Sequence, residues 1–161
     1  MRARWLGLAM ALAVLGGCQA AMAPAYDASL VVGIRAANVR AMELLATASG
    51  GVDRSTFASR EAAYARVIGS FDALTIEAGA RPVPDSRALE RVNALLEKRG
   101  VPALDGEIPS VPALRKVSET VAKMRDTDRK QGVRDMEVQA FRGILVISID
   151  QALTYERFLE R

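Results

Sequence analysis

The sequence predicts an all-α protein, an antiparallel four-helix-type bundle with an additional short helix. Apolar residues recur at three- and four-residue steps through four long stretches. No stretch alternates apolar and polar residues over several positions, as a half-buried strand does. The prolines fall between those stretches or at their starts, where helices tolerate them. With 161 residues, 50% hydrophobic and 25% charged, the chain is globular in composition and can bury a core without cross-links.

The first helix is expected over residues 28–49. Leu30, Ile34, Ala37, Ala41, Leu44, Leu45 and Ala48 form its stripe, and Arg35, Arg40 and Glu43 fall off it. Gly50 and Gly51 end it. Asp53 or Ser55 can cap a second helix over 54–79. There Phe57, Tyr64, Phe71 and Ala78 are spaced by seven, with Arg60/Glu61, Val67/Ile68 and Leu74 between them. Pro82 and Pro84 break the chain, and Ser86 can cap a short helix near 86–99 carrying Leu89, Val92, Leu95 and Leu96. The segment "VPALDGEIPSVP" is an apolar loop. Its Val101, Leu104, Ile108 and Val111 are expected to fold over one end of the core, the alternative being a docking surface.

Ser110 can cap a third helix over 111–130, with Pro112 in its first turn and Leu114, Val117, Val121 and Met124 as its stripe. "RDTDRKQG" reads as its polar end, turning at Gly132. The fourth helix, 133–160, is the most apolar. Met136, Ala140, Ile144, Ser148, Gln151, Ala152, Tyr155 and Leu159 trace one face, widened by Phe141, Leu145, Val146, Ile147 and Ile149. A helix apolar over so much of its circumference is expected to sit centrally. Short connections favour antiparallel neighbours within the first and last pairs.

Ahead of the bundle the chain reads "MRARWLGLAMALAVLGGCQA". A short basic region precedes an apolar run of about a dozen residues, the length of a secretory signal core and short of the ~20 a membrane span needs. Leu15-Gly16-Gly17-Cys18 resembles the lipobox of bacterial lipoproteins. The resemblance implies diacylglyceryl transfer to the Cys18 thiol, cleavage between Gly17 and Cys18, and acylation of the new amino terminus. It divides the chain into a signal peptide (1–17), a lipidated cysteine with a flexible tether (18–27) and the helical domain (28–161). The membrane partner would be lipid, through Cys18. Two or three acyl chains make attachment long-lived where one holds marginally. Gln19 in place of Asp after the cysteine suggests, by the enterobacterial sorting pattern, the outer membrane facing the periplasm. Extended, the tether spans ~30 Å.

Of the 22 basic residues, Arg2 and Arg4 precede Cys18, against none of the 19 acidic ones, so the cleaved chain balances at +1. No clustered basic face points to nucleic acid. The chain has no histidine and one cysteine. That removes the usual Ser-His-Asp and Cys-His catalytic sets, His-containing zinc sites and the Glu-x-x-His pairs of di-iron bundles. No metal or cofactor is expected. Asp72, Glu77 and Asp150 interrupt apolar stretches and are the candidates for carboxylate chemistry. The plainer expectation for Asp150 is the edge of the apolar face, paired with Arg66 or Arg142. Phe57, Tyr64 and Phe71 could line a ligand cavity, or be ordinary core. The leading expectation is a non-enzymatic module that meets a protein partner in the cell envelope. The alternatives are a carrier or sensor of an apolar ligand and a carboxylate-dependent cell-wall enzyme.

Overall fold

The computed structural model describes residues 23–82 and 106–160, with Glu90, Ala94, Glu97 and Lys98 between them. Cys18 and Gly17, most of the short helix expected near 86–99, and Val101 and Leu104 lie outside the described residues. Pro24–Pro82 and Gly106–Arg161 form one compact unit; Met1–Ala23 and Val83–Asp105 form another. The first of these units is the helical bundle.

Helix α1 (Ala28–Thr47) starts at Asp27, whose carboxylate accepts the amides of Ser29 at 2.8 Å and Leu30 at 3.2 Å. These are donors that a helix start would otherwise leave unpaired. Gly50 and Gly51, both at positive φ, follow its end. The stretch expected as one helix over 54–79 is instead two elements. A 3-10 segment, Arg54–Ser59, is capped by Asp53, and α2 (Glu61–Gly79) follows. The Thr56 and Ser59 hydroxyls donate to the Asp53 and Thr56 carbonyls, holding the tighter turn.

Helix α3 is Ser110–Gln131. Ser110 does not cap it: Pro109 holds the cap position, and the Ser110 hydroxyl is turned inward, fully buried. Helix α4 is Asp135–Phe158. Three residues join it to α3. Gly132 takes φ 80° and ψ 178°, a region essentially confined to glycine. Val133 then pairs with Val52 by two backbone hydrogen bonds of 2.8 and 3.0 Å. A Cβ on Gly132 would collide with the Val52 carbonyl oxygen and lie 3.0 Å from the Arg54 amide. Gly132→Ala is therefore expected to cost about 2–3 kcal/mol in urea denaturation, combining strain and a broken bridge.

The helices pack in a ring: α1 on α2, α2 on α3, α3 on α4 and α4 on α1. Gly33 lies against Leu74, and Arg40 donates to Ser70 at 3.3 Å, so α1 and α2 run in opposite directions. Arg60, before α2, reaches Asp128 near the end of α3, and Arg81, after α2, reaches Ser110 at its start, so that pair also opposes. Among the described residues there is no strand, and no helix is long and apolar enough to cross a membrane.

Every stripe residue expected on α1 and α3 is buried, and Ile108 and Val111 close over the core as the apolar loop predicts. Helix α4 differs. It takes its place in the ring like the others, and it buries Val138, Leu145, Ser148, Ile149, Ala152 and Glu156. Of the face traced from the sequence only Ser148 and Ala152 are buried, while Met136, Ala140, Ile144 and Gln151 are exposed. With apolar residues on nearly all sides, periodicity alone does not fix the rotation of this helix. The exposed large apolar side chains are correspondingly uneven. Val32 and Val39 stand on α1, Ile76 on α2, five on α4 and none on α3.

Candidate functional site

The aromatic residues singled out in the sequence come together in the interior. Tyr64 and Phe71 are fully buried, and Phe57 stacks on Tyr64 with ring centroids 6.2 Å apart and planes 21° off parallel. Such a pair contributes beyond its buried area. The Tyr64 hydroxyl donates to Asp128 at 3.1 Å. A shallow depression of the surface lies elsewhere, on α3, lined among the described residues by side chains including Glu119, Lys123, Asp126 and Lys130.

The three carboxylates weighed from the sequence do not converge. Asp72, Glu77 and Asp150 are all exposed. Asp72 accepts a hydrogen bond from Ser118, and Asp150 pairs with neither Arg66 nor Arg142. Among the described residues, no three carboxylate, histidine or cysteine side chains are grouped to hold a metal ion.

Two other carboxylates are buried instead, each clamped by an arginine at one end of α2. Arg60, immediately before α2, donates from Nε and Nη2 to the two oxygens of Asp128, both at 2.9 Å, and from Nη1 to the Thr56 hydroxyl at 3.0 Å. Asp128 is fully buried and also accepts the Tyr64 hydroxyl. Arg81, just after α2, donates from Nη1 and Nη2 to the oxygens of Glu156 at 2.7 and 2.6 Å. It also donates to Ser110 Oγ at 3.3 Å and, from Nε, to the Ala78 carbonyl at 3.2 Å. Glu156 is fully buried. These are bidentate, charge-assisted pairs, the strongest form of the interaction. Among the described residues no buried side-chain polar atom lacks a partner. Both carboxylates are committed to guanidinium groups, so their chemical effect is to fix α2 against α3 at one end and against α4 at the other.

The electrostatics of the first cluster carries a pH consequence. Burial, chiefly, and the Asp128 charge push the Tyr64 phenol above its usual range. The unfolded phenol ionises near pH 10 (about its free value), so above that point the folded state binds the extra proton. Stability is thus expected to be intact below about pH 10 and to fall as pH rises beyond it. Tyr64→Phe should remove that part of the decline, read by comparing urea midpoints at about pH 8 and about pH 11. At the other end, the Ser29 hydroxyl and the Leu30 and Ser29 amides hold Asp27 below the usual carboxylate range, with a smaller contribution from the Arg81 charge.

Sequence reading missed both clusters. Asp128 lies in the charged run "RDTDRKQG", where one buried acid looks like its solvated neighbours. Glu156 is flanked by Tyr155 and Arg157 and lies outside the face assigned to α4. The usable signal was spacing: Asp128 follows Val121 by seven and Met124 by four, on the stripe of α3. No protein-family model, curated protein or solved structure matches the chain.

Proposed function

We propose that this chain is a bacterial lipoprotein, acylated on Cys18, whose helical bundle acts as a non-enzymatic interaction or structural module at the cell envelope. The observation that carries the reading is Leu15-Gly16-Gly17-Cys18 behind a short basic and then apolar N-terminus. The buried acids support the non-enzymatic part: Asp128 and Glu156 are saturated by arginine, and the chain has no histidine. Gln19 favours the outer membrane, facing the periplasm.

Growth with radiolabelled palmitate tests the anchor. The parent chain should take up label and fractionate with the outer membrane, and Cys18→Ser should remain an unlabelled, uncleaved precursor. Cleavage of the Cys18→Ser variant at the same bond, with unchanged fractionation, defeats the reading. Crosslinking from intact membranes then addresses the module: one stoichiometric protein partner is expected.

A further inference from the structure

One side of α4 carries a charge pattern that reads as its own complement when the helix is reversed. Asp135, Arg142, Val146, Asp150 and Arg157 share that side, following steps of three and four with Gln139 and Leu153 between them. Val146 is the midpoint. Arg142 and Asp150 each lie four residues from it, and Asp135 and Arg157 each lie eleven. Turned end over end about Val146, every one of these charges meets its opposite.

Except for Leu153, which is half-buried against the core, the side is also exposed. All five residues are exposed, Val146 at 49%. The side chains of Arg142, Asp150 and Arg157 form no hydrogen bond or ion pair within the described residues. Asp135 uses one oxygen on the Gly50 amide, at 3.2 Å. Beside the charges runs an apolar edge: Met136 (81% exposed), Ala140, Gly143 and Ile147 (60% exposed). A Cβ added at Gly143 would meet nothing within 4 Å, so another backbone can approach closely there.

We propose that a second copy of this chain docks on this side, α4 against α4 in opposite directions, about a two-fold axis at Val146. The contact pairs Arg142 with the partner's Asp150 and Asp135 with the partner's Arg157. Ile147 and Gly143 close over the apolar edge. A two-fold axis requires a patch that complements itself, and this pattern does. A lipid surface suits the face less well, because Asp135 and Asp150 would have to approach anionic headgroups. The proposal needs nothing from the N-terminus, so the failure of the anchor leaves it standing, and the reverse.

The test uses the full chain in mild nonionic detergent. Val146→Cys lies on the axis, beside its own symmetry mate, and should form a disulfide-linked dimer on oxidation. Lys123→Cys, on the outer face of α3, should not, and the parent with only Cys18 gives the background. Arg142→Asp and Asp150→Arg each place like charges together and should weaken self-association by at least about tenfold. The double variant should recover the parent affinity to within about threefold. A chain that stays monomeric, a dimer indifferent to both single exchanges, or no recovery in the double variant overturns the proposal. So does burial of a label on Ile147→Cys only when vesicles are added, which assigns the face to lipid.

Discussion

Asp128→Ala is expected to lower the unfolding free energy by about 3–5 kcal/mol, the cost of leaving one partner of a buried ion pair alone. The loss would not come from a broken attraction alone. Arg60 stays in place, 5% exposed, with two of its donors aimed at a missing acceptor. The Tyr64 hydroxyl, also fully buried, loses its acceptor too. Asp128→Asn should fall between, since the amide oxygen can still accept a bond but offers no counter-charge. Tyr64→Phe, which leaves the ion pair intact, should cost only about 1 kcal/mol. Urea denaturation monitored by circular dichroism reads all three; an unchanged slope with a shifted midpoint assigns the effect to stability. Against a total of about 5–15 kcal/mol for a natural domain, the first of these changes removes much of the margin available at elevated temperature. If Asp128→Ala behaves like Tyr64→Phe, the pair contributes little and the interior relaxes around it.

Arg81→Ala is the second large effect, again about 3–5 kcal/mol, because Glu156 has no exposure through which to recover hydration. The change also removes the donor to the Ala78 carbonyl at the end of α2 and the one to Ser110. Replacing both charges, as in Arg81→Met with Glu156→Leu, should restore much of the loss. Paired apolar groups of similar size often match or exceed a buried salt bridge, and only the orphaned ion is costly. The comparison of single and double variants isolates that term. Recovery in the double variant would mark the cluster as a positioning device whose net stabilisation is small. No recovery would show that the bonds to Ser110 and Ala78 matter as much as the charge.

The helical class and the interior of α1 and α3 were legible because each of those helices carries one apolar stripe at three- and four-residue steps, accompanied on α1 by the exposed Val32 and Val39. Leu30 to Ala48 and Leu114 to Met124 leave a single rotation that buries them all. Helix α4 offered several rotations. Its side chains around Ile144 to Ile149 are apolar on consecutive positions, and the choice among them is made by neighbours distant in sequence, including Arg81 on Glu156. The break at Arg60 was hidden for a related reason. The heptad of Phe57, Tyr64 and Phe71 runs straight through it, and the 3-10 turn is set by hydroxyl-to-carbonyl bonds and by an arginine turned inward. The lipobox-like string proposed at Cys18 could be read without any structure, because it is short and contiguous. The ion-pair clusters were not, since each joins residues 68 or 75 positions apart.

The two arginines bracketing α2 make that helix a ruler. Arg60 and Arg81 stand 21 residues apart, about 30 Å along a helix, and each must meet a fixed carboxylate. Adding or deleting one residue inside α2 would swing one guanidinium by about 100° and shift it by about 1.5 Å, out of reach of its oxygens. Length variation in this protein is therefore expected to be excluded from 61–79, although the outer face of α2, with Ala62, Ala65, Gly69 and Ala73, looks permissive of almost any side chain.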